Sequence, residues 1–215
     1  MKGPGVFGTY IERLYEPDVT LALMQSVQLG WICVDVGAHL GYFILLMAYL
    51  VGDTGRVFAF EALPENVRWL KENVALNGFT DRVTIENQAI TDGKQSVVHL
   101  HAPLQYTSEW SIVRPSPIAR SIAVRATSLE QYFAQGPRVD FIKIDIEGAE
   151  FMALQGSQTI LRHHRPLCLV ELHGEEGQRA VRFLLEMGYG VEGLKGQAFF
   201  GPPFPCHILA RPGER

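Results

Sequence analysis

The stretch Trp31–Phe43, W-I-C-V-D-V-G-A-H-L-G-Y-F, decides the fold of this chain. Its first six residues are apolar or β-branched except for Asp35, as in a buried parallel strand that carries one acid near its end. Gly37 and Gly41 then bracket a short step into the apolar run Tyr42–Ala48, which is long enough for a helix packed on a sheet. The predicted order is therefore strand, glycine turn and helix.

A second strand follows the same pattern. Arg56–Phe60 alternates as a strand and is followed by Glu61, about twenty residues beyond the glycine turn. A ribose-binding carboxylate stands at that distance in nucleotide-binding βαβ units. Glycines in the turn allow positive φ angles and close approach of a ligand to the backbone, and the helix that follows presents free N–H groups. These features predict an adenosine-containing cofactor.

The glycine pattern indicates which cofactor binds. A dinucleotide site carries three glycines, G-x-G-x-x-G, so that a pyrophosphate can sit on the helix N-terminus. Here the pattern is D-V-G-A-H-L-G, with two glycines and Asp35 before them. An acid at that place suits a ligand with a positive amino group, which favours S-adenosyl-L-methionine. An ordinary strand, turn and helix without a ligand is the alternative.

The composition is that of a soluble α/β protein. Of the 215 residues, 47% are hydrophobic and 20% charged, and the net charge is −4, which argues against nucleic-acid binding. No apolar run approaches the ~20 residues of a membrane span, and the N-terminus lacks the apolar core of a signal peptide. Three cysteines without C-x-x-C spacing indicate buried, reduced thiols. We therefore expect a cytoplasmic protein with one domain over residues 1–215.

Two segments depart from the regular alternation of strands and helices. Residues 1–30 form an N-terminal helical segment, with apolar helical spacing over Ile11–Tyr15 and Val19–Leu29 and Asp18 as the predicted N-cap. Residues 91–138 form a long insertion with two strands, Ser96–His101 and Ile122–Thr127, joined by an irregular loop. Tyr106 and Trp110 of that loop either stack on an apolar sugar face or anchor the loop on the core.

The remaining elements follow from periodicity and from turn residues. We predict helices over Pro64–Leu76, Ser128–Ala134, Glu150–Leu161 and Glu175–Met187, strands over Arg82–Glu86, Val139–Ile144 and Pro166–Leu172, and a closing hairpin from Val191 that includes Cys206–Ala210. Three phenylalanines at the hairpin tip, residues 198–204, suggest a lid or a homodimer contact.

Four motifs together resemble a known family. They are D-V-G-A-H-L-G-Y-F, G-R-V-F-A-F-E-A-L-P-E-N-V-R-W-L-K-E-N-V-A-L-N-G, D-F-I-K-I-D-I-E-G-A-E and P-L-C-L-V-E-L-H. In this order, over about residues 12 to 175, they resemble the FkbM-type methyltransferases. His39, where Asn is frequent, and Ala62, where Pro often follows the acid, depart from the commonest pattern.

The resemblance implies a class I methyltransferase that depends on S-adenosylmethionine and usually acts on hydroxyls of sugars or polyketide-like natural products. We expect a Rossmann-like, doubly wound, mostly parallel seven-stranded sheet with one antiparallel strand and helices on both faces. The residues expected to contact the cofactor are Glu16, Asp35, Gly37, Ala38, His39, Gly41, Tyr42, Phe43, Glu61, Ala62, Asn87, Ala89 and Asp145.

Methyl transfer to an alcohol needs a positioned acceptor and a group that takes its proton. The candidates at the carboxyl ends of the later strands are Asp145, Glu147, Glu171 and His173. His173 is the predicted base because its unperturbed pKa is near 6.5, and Asp145 and Glu147 are predicted to orient the acceptor. The alternative for His173 is a cap on the following helix, and acids near a helix N-terminus such as Glu147 and Glu150 are also favoured by the helix dipole.

Several alternatives stay open at this point. The same four side chains could hold a divalent metal, which is not favoured because their spacing matches no recognised metal motif. A nicotinamide oxidoreductase is disfavoured by the absence of the three-glycine turn. A cofactor-binding module without catalysis is disfavoured by the strand-end acids and histidine, and an amine acceptor is an alternative to a hydroxyl. The predicted partner is a small-molecule or glycan acceptor, which the sequence does not identify.

Overall fold

A computed structural model of the chain describes residues 14–102, 110–113, 120–194 and 207–213. Seven strands form the main sheet. In spatial order they are β3 (Val83–Glu86), β2 (Arg56–Phe60), β1 (Ile32–Val36), β7 (Phe141–Ile144), β8 (Leu167–Glu171), β10 (His207–Pro212) and β9 (Tyr189–Gly193). β10 runs antiparallel to both of its neighbours, and the first five strands pair in parallel. The predicted fold class is confirmed.

Helices cover both faces of this sheet because side chains alternate between the faces along each strand. The helices are α1 (Pro17–Ser26), α2 (Tyr42–Leu50), α3 (Pro64–Leu76), α4 (Leu129–Tyr132), α5 (Glu150–Gln155), α6 (Gln158–His163) and α7 (Gly174–Glu186). Cys33 of β1 packs with α1, α2 and α3 on one face. Val34, the next residue, packs with the other four helices on the opposite face.

A small second sheet combines two strands of the predicted insertion, residues 91–138, with one strand directly before it. It consists of β4 (Ala89–Ile90), β6 (Ser121–Thr127) and β5 (Val97–His101), in that spatial order. β4 pairs with β6 in parallel, a pairing that the sequence did not indicate, and β5 pairs with β6 antiparallel. Trp110 packs on this sheet together with the turn after β2, so it anchors its segment. Tyr106 lies outside the described residues.

One predicted helix was wrong. The expected continuous helix Glu150–Leu161 is interrupted after Gln155, where Gly156 and Ser157 separate α5 from α6. A Cβ on Gly156 would overlap the carbonyl oxygen of Thr91, and the Gly156 carbonyl accepts a hydrogen bond from the Glu130 N–H at 3.0 Å. The break therefore comes from packing against distant segments, which helical periodicity does not report.

The N-terminal helix begins earlier than predicted. Pro17 occupies its first turn, where a missing N–H costs nothing, and Glu16, not Asp18, is the N-cap residue. Residues 1–13, the hairpin tip at 198–204 and Cys206 lie outside the described residues. Cys33 and Cys168 are buried free thiols. Within the described ranges, no helix combines the length and the apolar character needed to cross a membrane.

Candidate active site

A cleft opens at the carboxyl ends of the parallel strands and holds about 1020 Å³ of space, its open mouth included. Of the residues predicted to contact the cofactor, those that line the cleft are Gly37, Ala38, His39, Tyr42, Phe43, Glu61, Ala62, Ala89 and Asp145. Glu147 also lines it, whereas Glu16, Asp35, Gly41 and Asn87 lie outside its wall.

The backbone conformation and contacts within the protein explain the glycines of the turn after β1 more directly than the approach of a ligand does. Gly37 and Gly41 have φ angles of 89° and 94°, in the left-handed region. A Cβ on Gly37 would overlap the carbonyl oxygen of Asp145, and one on Gly41 would overlap Leu70. Both glycines are therefore required by contacts within the protein. His39 also has a positive φ, 49°, a conformation that His adopts more readily than most residues.

Glu61 joins the turns after the first two strands. One of its carboxylate oxygens accepts a hydrogen bond from the His39 N–H at 2.8 Å, and the other accepts one from the Leu63 N–H at 2.7 Å. The side chain of Asn66 is a further partner. Burial raises the pKa of Glu61 to about 7, and these hydrogen bonds oppose the rise. A carboxylate has about four acceptor positions, so at least one stays available for a ribose hydroxyl at the cleft wall.

Asn87 supports the turn after β2, and the two residues that follow it line the cleft. The Asn87 side-chain amide donates to the carbonyl oxygens of Glu61 and Ala62, at 2.9 and 3.0 Å. Asn87 thus fixes the turn after β2 from outside the cleft wall. Gln88, which was not predicted from the sequence, lines the cleft next to Ala89.

A buried lysine lies between two acids beside the cleft. The Lys143 ammonium is 3.2 Å from Asp145 and 3.5 Å from Asp35, and it lies 5.0 Å from the centre of the Phe43 ring. Burial by itself lowers the pKa of Lys143, but the neighbouring carboxylates of Asp145 and Asp35 outweigh burial and raise it. Burial raises the pKa of Asp35. For Asp145, Lys143 and a hydrogen bond with Glu171 outweigh burial and hold the pKa below its ordinary range.

The role of Lys143 was not predicted from the sequence. The motif D-F-I-K-I-D could have predicted it, because a lysine inside an otherwise apolar, buried strand must be paired with an acid. Asp35 and Lys143 occupy opposed positions of β1 and β7, so their side chains emerge on the same face of the sheet.

The predicted catalytic side chains lie together beside the cleft, in a group that we call the acid–histidine edge. It comprises Asp145, Glu147, Glu171, His173, His207 and Glu16. Asp145 and Glu147 line the cleft, whereas the other members lie outside its wall. His173 Nδ1 is 2.9 Å from a Glu150 carboxylate oxygen, and its Nε2 is 3.3 Å from Glu147 and 3.8 Å from Glu171. The hydrogen bond with Glu150 raises the pKa of His173, against the effect of burial. Glu150 itself is fully buried and also accepts from the N–H of Gly148.

Glu171 and Asp145 form a hydrogen-bonded pair of acids at this edge. Burial and the hydrogen bond with Asp145 raise the pKa of Glu171, whereas the pKa of Asp145 is held low. Two acids this close cannot both ionise at low cost.

His207 and Glu16 complete the edge from the two ends of the described chain. His207 Nε2 lies 3.5 Å from Glu16 and 3.8 Å from Glu171, and burial lowers the pKa of His207 to about 4. Burial raises the pKa of Glu16. His207 was missed in the sequence, although its pairing opposite Glu171 in the antiparallel ladder places it there.

Among residues 14–102, 110–113, 120–194 and 207–213, no group of three or more His, Cys, Asp or Glu side chains has an arrangement that could hold a metal ion.

The sequence and the structure are both similar to known methyltransferases. The profile of the methyltransferase FkbM domain matches residues 35–191. Over 103 residues the chain is 33% identical to protein-L-isoaspartate O-methyltransferase of Aeropyrum pernix, an alignment that covers 48% of the chain and 34% of that relative. The chain therefore spans about a third of the length of this curated relative.

Solved structures share the fold at low identity. A methyltransferase FkbM from Methylobacillus flagellatus superposes with a TM-score of 0.57 at 18% identity, over 86% of this chain and 43% of that one. An S-adenosylmethionine-dependent O-methyltransferase from Thermotoga maritima gives a TM-score of 0.59 at 18% identity, over 96% and 69%. Other similar folds include rRNA and precorrin methylases, so the fold does not determine the acceptor. By the match over residues 35–191, the chain belongs to the FkbM family of S-adenosylmethionine-dependent methyltransferases.

Proposed function

We propose that this protein transfers the methyl group of S-adenosylmethionine to a hydroxyl of a small molecule or glycan. The acceptor oxygen attacks the methyl carbon, the carbon–sulfur bond breaks with its electron pair moving to sulfur, and S-adenosylhomocysteine leaves. The hydroxyl proton must pass to a base on the protein. The observation that carries the proposal is the contact between His173 and Glu147 at the wall of the cleft.

The nucleotide-side turns, residues 37–41, 61–63 and 87–90, suit the adenosine part of the cofactor. Glu61 offers a buried carboxylate for the ribose, and Ala89 and Ile90 offer an apolar wall for the adenine. Asp145 and Lys143 also line the cleft, and Asp35 pairs with Lys143 outside its wall, so these charges suit the charged methionine part of the cofactor.

His173 and Glu147 are proposed to act together as the base. Glu147 lines the cleft, so its carboxylate can accept a hydrogen bond from the acceptor hydroxyl. His173 lies behind Glu147, with Nε2 3.3 Å from that carboxylate and Nδ1 held by Glu150. The proton then passes from the hydroxyl through Glu147 to His173, and Asp145 orients the acceptor. The hydrogen bond with Glu150 raises the pKa of His173, which makes its imidazole a stronger proton acceptor.

Apolar side chains in the cleft wall favour an acceptor with an apolar face. Trp110, Ile112 and Leu100 line the cleft and pack in one cluster with the turn after β2. An exposed part of an indole ring is a surface on which sugar rings and polyketide-like carbon skeletons both pack.

An acceptor screen tests the proposal. Protein and S-adenosylmethionine with a labelled methyl group are incubated with hydroxylated sugars and polyketide-like alcohols, with and without a chelator, and products are identified by mass spectrometry. We expect transfer to oxygen. Binding of S-adenosylmethionine without transfer to any acceptor would instead support a non-catalytic binding module, and no binding of the cofactor would overturn the proposal.

An amine acceptor is the second candidate. The acid–histidine edge carries more carboxylates than cations, and a protonated amine would be attracted to it. Matched pairs of acceptors that differ only in an amino or hydroxyl group at one position distinguish the two, because the methylated atom is read directly from the product. The cytoplasmic location and the homodimer stay predictions.

A further inference from the structure

A serine from the small sheet bonds to the turn that carries Glu147. The Ser111 hydroxyl donates to the main-chain carbonyl of Glu147 at 2.8 Å. Ser111 is 2% exposed and belongs to a short segment that pairs with the end of β5, through main-chain hydrogen bonds of 2.9 and 3.1 Å with His101. The Ser111 contact is therefore held on a sheet and is remote in sequence from the turn it reaches.

Glu147 adopts a conformation that needs external support. Its φ angle is 56°, in the left-handed region of backbone conformation that residues other than glycine and asparagine rarely adopt. The peptide unit that follows Glu147 is held on both sides. Its carbonyl oxygen accepts from Ser111, and its N–H, that of Gly148, donates to Glu150 at 2.9 Å. Fixing this peptide plane fixes the direction in which the Glu147 side chain leaves the backbone.

We propose that Ser111 is a positioning residue of the active site, whose hydroxyl holds the strained Glu147 backbone so that the Glu147 carboxylate meets both the cleft and His173. This inference rests on the proposed function of the acid–histidine edge. Ser111 touches no reacting atom in this scheme and acts through Glu147.

The position of Ser111 also connects the cleft wall to the proposed base. Trp110 and Ile112, its two neighbours in the chain, line the cleft. The same short segment thus presents apolar side chains to the cleft and a hydroxyl to the Glu147 turn. Displacement of this segment would move both the wall and the carboxylate.

The test measures the pKa of His173 by NMR of the histidine ring, which requires no acceptor. The titratable groups near His173 are Glu150, Glu147, Glu171 and, at longer range, Asp145 and His207. The Glu147 carboxylate favours the protonated imidazole, so its displacement lowers the His173 pKa. The titration is run on the wild type and on Ser111→Ala, Ser111→Thr and Glu147→Gln, with thermal melting to confirm folding.

Ser157→Ala is the matched control. Ser157 is also buried and its hydroxyl also donates to a main-chain carbonyl, that of Ala153 at 2.7 Å, but away from this edge. We expect Ser157→Ala and Ser111→Thr to titrate like the wild type at His173, and Ser111→Ala and Glu147→Gln to lower the pKa. If Ser111→Ala fails to fold, Ser111→Cys, with a weaker donor of similar size, is expected to give a smaller fall.

The double variant Ser111→Ala with Glu147→Gln decides whether Ser111 acts through Glu147. We expect the double variant to titrate like Glu147→Gln alone. A further fall in the double variant, an unchanged pKa in Ser111→Ala, or an unchanged pKa in Glu147→Gln would each overturn the inference. Titration of the wild type with S-adenosylmethionine is done in parallel, and a failure to bind would count against the proposed function while the His173 comparison would still be readable.

Discussion

The nucleotide-side turns and the acid–histidine edge lie on one cleft but are built differently. Main-chain N–H groups within one βαβ unit hold the nucleotide-side turns, as when Glu61 accepts from Leu63 and from His39, which lies 22 residues earlier. Side chains from distant segments assemble the acid–histidine edge, as when His207 approaches both Glu16 and Glu171. The first region is set by local motifs, and the second exists only when the whole sheet has formed.

This difference makes the two regions experimentally separable. Substitutions in the nucleotide-side turns are expected to change cofactor affinity or folding. Substitutions at the acid–histidine edge are expected to change turnover, except where a buried charge loses its partner. Variants in each region, each with a matched control, test that separation.

The largest expected effect is on turnover. We expect His173→Ala to lower turnover by roughly 10²- to 10⁴-fold, the usual contribution of a positioned acid or base, with the Kd for S-adenosylmethionine unchanged within about twofold. His163→Ala, at an exposed position at the end of α6, is the matched control and is expected to leave both quantities unchanged. Rates with an acceptor from the screen and calorimetric titration measure them. Equal losses of turnover and affinity would show that the two regions are not separable.

Substitution of Lys143, which lies between the nucleotide-side turns and the acid–histidine edge, tests how much a buried ion pair contributes to stability. Lys143→Met leaves Asp35 and Asp145 without their shared cation in a buried site, which is expected to lower the free energy of unfolding by about 3–5 kcal/mol. Lys94 is the matched control because its side chain is 80% exposed and pairs with Asp92. Lys94→Met is expected to cost less than about 1 kcal/mol. Chemical denaturation measures both, and a similar small loss in the two variants would contradict a paired, buried lysine.

Substitution in the glycine turn is expected to have a smaller effect, mainly on the free energy of unfolding. In Gly37→Ala, the new Cβ meets the Asp145 carbonyl and the φ angle of 89° is strained, for a combined loss of about 2–5 kcal/mol. Gly78 has a similar φ of 72°, but a Cβ added there would have nothing within 4 Å. Gly78→Ala should therefore lose only the strain, about 1–2 kcal/mol. Equal losses in denaturation experiments would mean that the close contact between the turns is not rigid.

The parts of the fold that could be predicted from the sequence are those that local patterns determine. β2 and α3 begin and end where periodicity and Pro64 place them. The break at Gly156 could not be predicted, because it depends on the packing of that residue against Thr91. The pairing of β4 with β6 could not be predicted either, since a strand of two residues has no periodicity to detect.

The candidate site divides in the same way. Glu61 and the glycine turn were found because their spacing in the sequence reflects a compact βαβ unit. Ser111 and His207 were not found, because each has a partner that is distant in sequence. His207 reaches Glu171 through the pairing of β10 with β8, and Ser111 reaches the Glu147 carbonyl from a segment that is bridged to His101. Strand-end acids and histidines could be nominated, but their mutual distances depend on tertiary structure.

Substitution of Glu61 gives the smallest expected change in free energy and the sharpest dependence on pH. Glu61→Gln is expected to weaken S-adenosylmethionine binding by about 1–3 kcal/mol, the value of a hydrogen bond to a charged group. Because burial raises the pKa of Glu61 to about 7, the ionised fraction grows between pH 6 and pH 8. The wild-type Kd is therefore expected to fall by up to roughly tenfold over that range, and the Kd of Glu61→Gln to change much less. Calorimetric titration at several pH values measures both.

The same carboxyl group makes a prediction of opposite sign for the ligand-free protein. Since its pKa is raised from 4.5 to about 7 on folding, Glu61 stabilises the fold most at low pH, and this contribution is lost as the pH rises from about 4.5 through about 7. We expect Glu61→Gln to reduce this decline in the free energy of unfolding, by up to about 3 kcal/mol. Ionised Glu61 would then favour the cofactor and disfavour the empty fold, so binding and stability should respond to pH in opposite directions. A parallel response of the two in denaturation and calorimetry would place the proton on another group.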